Sequence, residues 1–435
     1  MTDEGIGLAG FGALFVLLLL GVPVGFSLLT VGIVGLAVVG SWNTAFAFLL
    51  SVPYRTAANY GFAVVPMFLL MANLMGGAGV ARDAYASAAK WVGRLPAGLA
   101  IATTGAAALF GAVCGSSLAS TALFTKTSLP QMLQHRYDKG LSAGCIAAAG
   151  TLAMMIPPSL VMVIFAILTE QGIGQLLMAG VFPGFMLALL FCIYMYVRVR
   201  ITPSLAPVTL QGATFREKIV SLKGIWPIPA LFGLVMGGIY FGWFTPSAAA
   251  AIGAAGAVVL VVARRDMTRS ELLGALKDTG LTTSAIFILV IGGIVFSRFV
   301  SLSGVIHTIT AAIGELKVPP LAILVLILLL YLVLGCFLES VSMMVVSLPV
   351  VFPVIIALGY DGIWFGVMVV LMAEIGMLSP PVGLNVYMLC SVAGDAISMR
   401  EAFVGIAPFV VVSLFAAALL IAFPDIALFL PKRMT

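Results

Sequence analysis

The stretch "EIGMLSPPVGLN" (Glu374–Asn385) places an acid, two prolines, two glycines, a serine and an asparagine inside one of the most apolar parts of the chain. Pro380 and Pro381 carry no N–H, so carbonyls one turn earlier in a helix lose their donors. Freed carbonyls and hydroxyls can replace the water shell of a small cation such as Na+. The exposed N–H groups where a helix restarts can hold a carboxylate. A twin of this stretch, "GTLAMMIPPS" (Gly150–Ser159), carries Pro157 and Pro158. Two further polar interruptions are "GSS" (Gly115–Ser117) and "LESVS" (Leu338–Ser342). Glu339 and Glu374 are acids in apolar surroundings, which makes them functional candidates by default. Lys126 and Arg298 are isolated cations, candidate counter-charges for an anionic substrate. Snorkelling or structural pairing is their alternative.

Helices in lipid must position these breaks. Of the 435 residues, 62% are hydrophobic and 9% charged, whereas a soluble domain carries about a quarter charged residues. Apolar runs such as Phe11–Leu20, Leu321–Leu334 and Val404–Phe423 recur from end to end. A spanning helix needs roughly 20 such residues. Continuous runs without alternation argue against a β-barrel. The chain reads as an all-α polytopic membrane protein. The N-terminus "MTDEGIG" lacks the basic region of a cleavable signal. The five cysteines are scattered, no CxxC occurs, and the two histidines are His135 and His307. No metal site or disulfide framework is expected from them.

The chain is two copies of one unit. Pro157 and Pro158 precede Pro380 and Pro381 by 223 residues, and the same offset joins Pro23 to Pro246, Pro96 to Pro319 and Pro130 to Pro353. Chance would match about 0.6 of the prolines at one offset. The repeats occupy 1–205 and 228–435, joined by a polar linker at 206–227. Basic residues set their relation, because cytoplasmic loops are enriched in Lys and Arg. The loop at 82–94 holds Arg82, Lys90 and Arg94, while its equivalent at 304–318 holds only Lys317. Conversely 41–59 holds only Arg55, while 263–278 holds Arg264, Arg265, Arg269 and Lys277. Equivalent loops of opposite bias predict inverted topology. The loops at 82–94 and 134–140 are both basic, so the segment between them must leave the membrane on the side it entered. That predicts a re-entrant hairpin at about 97–133, and its twin at about 319–353. Broken helices follow at about 141–170 and 363–392. Each repeat then has about five crossing helices, an odd number as inversion demands. In the first 40 residues, one long tilted helix and a pair broken at Pro23 stay open as alternatives.

Several blocks in order resemble the large membrane subunit of TRAP (tripartite ATP-independent periplasmic) transporters: "LGVPVGFSL" (Leu20–Leu28), "FGAVCGSSLAS" (Phe110–Ser120), "GTLAMMIPPS", "LMAGVFPG" (Leu177–Gly184), "LPVVFPVIIALGYDGIWFGV" (Leu348–Val367) and "EIGMLSPPVGLNVY" (Glu374–Tyr387). The resemblance implies an elevator-type secondary transporter in the bacterial inner membrane, with Na+ as coupling ion and no cofactor. Carried over by position, it implies one Na+ site at Gly115, Ser116, Ser117, Gly150 and Thr151. A second is implied at Glu339, Ser340, Gly376, Ser379, Gly383 and Asn385. It implies two partners: a separate small membrane subunit of about four helices, and a periplasmic binding protein that delivers a carboxylate-bearing organic acid. The chain departs from the family pattern at "FTKTS" (Phe124–Ser128), which includes Lys126, and at Glu339, where the pattern has Asp.

Rival expectations are a stand-alone Na+/carboxylate symporter or antiporter, a passive channel, and an intramembrane enzyme. The last needs a catalytic constellation, and His135 and His307 sit at loop edges.

Overall fold

The structure, a computed structural model, describes residues 2–207, 213–265, 267–315 and 318–434, the side chains of 312–315 excepted. Lys317 and part of the linker lie outside them. The first half forms α1 (Asp3–Leu19), α2 (Val24–Val39), α3 (Trp42–Ala58), α4 (Val64–Gly77), α5 (Val80–Val92), α6 (Gly98–Cys114), α7 (Ser117–Gln134), α8 (Lys139–Met155), α9 (Leu160–Leu168) and α10 (Ile173–Ile201). A connecting helix follows, α11 (Phe215–Ile225). The second half forms α12 (Pro227–Tyr240), α13 (Pro246–Arg264), α14 (Arg269–Leu302), α15 (Val305–Glu315), α16 (Pro320–Gly335), α17 (Ser340–Ala357), α18 (Gly362–Leu378), α19 (Leu384–Ala393), α20 (Met399–Ala422) and α21 (Asp425–Leu428). Among the described residues six helices are long and apolar enough to cross a membrane, or eight if each of two bent pairs is one span.

Local chemistry sets the helix ends. Pro227, Pro246 and Pro320 open α12, α13 and α16, where a missing N–H costs nothing. Side chains of Asp138, Thr245 and Asp361 accept first-turn N–H groups of α8, α13 and α18, satisfying donors that have no partner within the helix. In the first 40 residues the chain resolves into a pair. Gly21, at φ 79°, turns it between α1 and α2.

Glycine contacts show which way neighbouring helices run. Gly25, Gly32 and Gly35 of α2 lie against Leu289, Phe296 and Phe299 in turn, so α2 runs with α14. Ser247 Oγ donates to the Tyr60 carbonyl (3.2 Å), Gly253 faces Met71, and so α13 runs with α4. The helices α4 and α14 oppose each other: Phe62 packs on Phe287 (5.6 Å between rings), and Asn73 Nδ2 donates to Thr279 Oγ1 (2.9 Å). Therefore α2 and α13, equivalent by sequence offset, run in opposite directions. The same holds elsewhere. Gly140 and Gly144 track along Gly405 and Phe409, so α8 runs with α20. Gly362 and Gly366 track Gln171 and Leu176, so α18 runs with α10. Phe191 meets Phe409 edge to face, and Phe182 meets Phe429 beyond the end of α20 in the same way, so α10 opposes α20. Equivalent helices α8 and α18 are thus also opposed.

One end of the molecule gathers the basic loops. There Arg264 pairs with Asp83 (2.5 Å), Lys139 with Glu401 (4.0 Å), and Ser87 Oγ meets Ser221 Oγ (2.9 Å). The excess of Lys and Arg marks this as the cytoplasmic end. Lys432 and Arg433 lie at the other end, Lys432 paired with Asp425 (2.7 Å) and Arg433 over the Phe429 ring (4.0 Å).

Candidate functional site

Two helical hairpins carry the site. Helices α6 and α7 meet at a tip where Gly115 adopts φ 66° and Ser116 Oγ accepts the Ala119 N–H. Helices α16 and α17 meet at 336–339, where the Glu339 carboxylate accepts N–H bonds from Val341 (3.1 Å) and Ser342 (3.3 Å) and so caps α17. Both Pro-Pro stretches break a helix. The axes of α8 and α9 differ by 44°, and Ser159 Oγ caps α9 through the Met162 N–H (3.3 Å). The break between α18 and α19 runs through Pro380 and Pro381 to Gly383, at φ 58°. Both Pro-Pro bonds are cis.

Each hairpin seats on the broken helix of its own half through glycine. A methyl group at Gly111 would lie 2.8 Å from Ala153 Cα, and one at Gly335 would lie 3.1 Å from Gly376 Cα. Only hydrogen fits at either contact, which draws α6 onto α8 and α16 onto α18. The first tip reaches its break, since a methyl on Gly115 would lie 2.8 Å from the Pro158 carbonyl.

The four interruptions also meet across the two halves. Ser117 Oγ donates to Asn385 Oδ1 (3.3 Å). Ser340 Oγ lies 3.4 Å from Glu374 Oε1 and 3.2 Å from Met377 Sδ. Glu374 is within reach of Ser117 as well. Asn385, which the resemblance groups with the second hairpin, therefore bonds to the first. Ser117, Ser340, Glu374 and Asn385 are all buried. Around them Ser120 Oγ, Thr121 Oγ1, Glu374 Oε2 and Asn385 Nδ2 have no hydrogen-bond partner. A buried polar atom normally finds one. Three of these orphans are oxygens, which suits a small cation. Gly150 faces Thr121, and Thr151 Oγ1 donates to Ala148 (2.6 Å). Ser379 Oγ donates to Ile375 (2.7 Å). Ser120 closes the block Phe110–Ser120 and Thr121 follows it, but neither was among the expected site residues. The signal that could have found them is their place one turn beyond the tip.

Next to this nucleus is a cavity of about 360 Å³. Gly115, Ser116, Leu160, Val161, Glu339 and Ser342 line one wall, while Pro23, Gly25, Leu69, Thr282, Ile286 and Leu289 of α2, α4 and α14 line the other. The first turns of α9 and α17 face it. Glu339 is the only charged residue among the lining. Lys126 and Arg298 are exposed and do not line it. Lys126 sits on α7 more than two turns from the tip, and Arg298 on the outward side of α14. The structure does not place either as a counter-charge for this cavity.

A bundle of membrane helices whose paired hairpins and broken helices enclose a cavity is built as a secondary transporter. Residues 11–426 match the family described as "Tripartite ATP-independent periplasmic transporter, DctM component". A C4-dicarboxylate TRAP transporter large permease of Pseudomonas aeruginosa is 34% identical over 78% of this chain and 79% of its own length. The ectoine TRAP transporter large permease TeaC of Halomonas elongata is 33% identical over 95% and 96%. The crystal structure of the Alcanivorax borkumensis YdaH transporter shares the fold at TM-score 0.60 and 15% identity, covering 88% of this chain and 90% of its own. The chain belongs to the DctM component family of TRAP transporters, and it is a multi-pass protein of the inner membrane.

Proposed function

We propose that this chain is the large membrane subunit of a Na+-coupled importer of a carboxylate-bearing organic acid. The observation that carries the proposal is the buried meeting of both hairpin tips with both broken helices, with orphaned oxygens at the meeting point. The relatives' named substrates, C4-dicarboxylates and ectoine, are carboxylates. The family name supports a periplasmic binding protein and a small membrane subunit as partners.

Na+ would be held at two sites. Gly115, Ser116, Ser117, Gly150 and Thr151 form the first, to which Thr121 adds an oxygen. Glu339, Ser340, Gly376, Ser379 and Gly383 form the second. Asn385 links the second break to the first tip. The substrate carboxylate would sit in the cavity against the free N–H groups opening α9, where the helix dipole favours an anion. Ions and substrate would then share the walls made by the hairpins, so filling one site orders the other. Opposed equivalent helices support two inverted repeats. The cavity between the hairpin unit and α2, α4 and α14 supports an elevator, in which that unit slides past a scaffold.

The test is uptake into proteoliposomes holding both membrane subunits, with the binding protein outside. Uptake should need an inward Na+ gradient and the binding protein. Equal uptake without the binding protein would favour a stand-alone symporter, and flux indifferent to Na+ would favour a channel.

A further inference from the structure

Helix α11 is unlike the rest. None of its residues is buried, and Phe215, Ile219, Leu222 and Trp226 form an exposed apolar stripe. Arg216 and Lys223 flank the stripe. A helix of this kind lies in the membrane interface. It is held there on α5: Ser221 Oγ meets Ser87 Oγ (2.9 Å), and Arg264, paired with Asp83, donates to the Gly224 carbonyl (3.1 Å).

Between α5, α6, α10 and α11 runs an apolar groove of about 670 Å³. Its floor is small, with Ala88, Ala102 and Gly105, and its walls include Trp91, Leu189 and Leu222. That shape suits a flexible hydrocarbon chain. Three cations belong to the segments beside its Trp91 wall. Lys218 lies over the Trp91 ring (5.7 Å), Lys90 directly precedes Trp91, and Arg94 follows three residues later, Lys90 and Arg94 both exposed. The acid facing this group is Glu217, which interacts with Lys90. Three cations against one acid leave a positive rim at headgroup depth.

We propose that this groove holds an anionic phospholipid of the cytoplasmic leaflet. One acyl chain lies along Ala88, Ala102 and Gly105, and the phosphate lies at Lys90, Arg94 and Lys218. Charge complementarity at the rim selects this occupant over a helix of the small subunit, since apolar packing alone would need no cations. The lipid would touch α5, α6, α10 and α11 together, so it would bind where α5, the first hairpin and the linker helix meet.

The test is native mass spectrometry of the delipidated complex of both membrane subunits, titrated with phosphatidylglycerol or phosphatidylcholine. Phosphatidylglycerol should bind several-fold more tightly. Lys90→Gln, Arg94→Gln and Lys218→Gln should each lower that affinity about fivefold, as expected for one interfacial charge, and should leave phosphatidylcholine affinity unchanged. Brominated phosphatidylglycerol should quench Trp91 in a variant whose other tryptophans are phenylalanine. Equal affinity for the two lipids, or a preference that survives all three substitutions, would overturn the proposal. So would quenching of Trp91 in the large subunit alone that the small subunit abolishes, because that partner would then own the groove.

Discussion

Replacing Gly150 with alanine separates the proposed ion site from generic helix stability. In the middle of a helix, Gly→Ala normally stabilises by about 1 kcal/mol. Here the added methyl would stand 1.9 Å from Thr121 Oγ1, 3.1 Å from Thr121 Cβ and 3.2 Å from the Ser117 carbonyl oxygen. The hydroxyl can rotate away, but the Thr121 Cβ and the Ser117 backbone remain too close. Overpacking of this kind costs about 1–3 kcal/mol, enough to outweigh the helix gain at its upper end. The strain falls between α8 and the first hairpin, the two elements that share the first site. If it is relieved by lifting the hairpin, the Na+ concentration for half-maximal uptake should rise about 5- to 150-fold, since 1.4 kcal/mol is tenfold. The assay is uptake in proteoliposomes against Na+ concentration, paired with thermal unfolding in NaCl and in choline chloride. Wild-type protein should be stabilised by NaCl, and Gly150→Ala should lose most of that shift. Thr121→Ala added to Gly150→Ala removes the nearest clash and should recover part of it. A Gly150→Ala protein with wild-type Na+ dependence would refute the assignment of Gly150 to an ion site.

Ser117→Ala and Asn385→Ala should be non-additive in the NaCl-dependent stability shift, with a coupling of about 0.5–3 kcal/mol because their side chains bond across the two halves; strict additivity would deny that link. Lys126→Ala and Arg298→Ala should change the substrate KM by no more than about twofold, as exposed positions usually do, whereas a tenfold rise for either would restore it as a counter-charge. Gly335→Val should abolish uptake while a correctly inserted protein persists, because the α16–α18 contact has room only for hydrogen; normal uptake would show that this contact opens freely. Glu217, on the interfacial helix outside the spans, is held below the ordinary value of 4.5 by the Thr214 backbone N–H and hydroxyl. A depressed carboxyl stabilises its helix start above that value and stops doing so as pH falls through the lowered one. Amide exchange across 215–220, compared with Glu217→Gln, should therefore differ at neutral pH and converge in acid.

Much of the architecture was legible in the chain itself. Composition and run length decide for membrane helices because a spanning backbone must satisfy its own hydrogen bonds. Proline positions mark both breaks because proline removes a donor wherever it stands. Matched offsets give the duplication, and the distribution of Lys and Arg over the loops predicts opposed equivalents. Glycine at 115 and serine at 116 mark the first tip, because a tight turn and a helix start need those residue types.

Other features depend on packing between segments far apart in sequence, which no local pattern encodes. The resemblance groups Asn385 with Glu339, yet its side-chain amide oxygen accepts from Ser117, 268 positions away. Ser120 and Thr121 look like ordinary helix residues, and only their burial without partners marks them. Lys126 and Arg298 look like counter-charges because a cation in an apolar run is rare, but helix rotation turns both outward. The sequence by itself determined where the helices stop and that the stops come in pairs, since backbone valence and solvation act locally. The tertiary structure alone decided which stops meet, because α2, α4 and α14 form the far wall of the cavity and hydrogen-sized glycine contacts at 111 and 335 set how closely the hairpins approach.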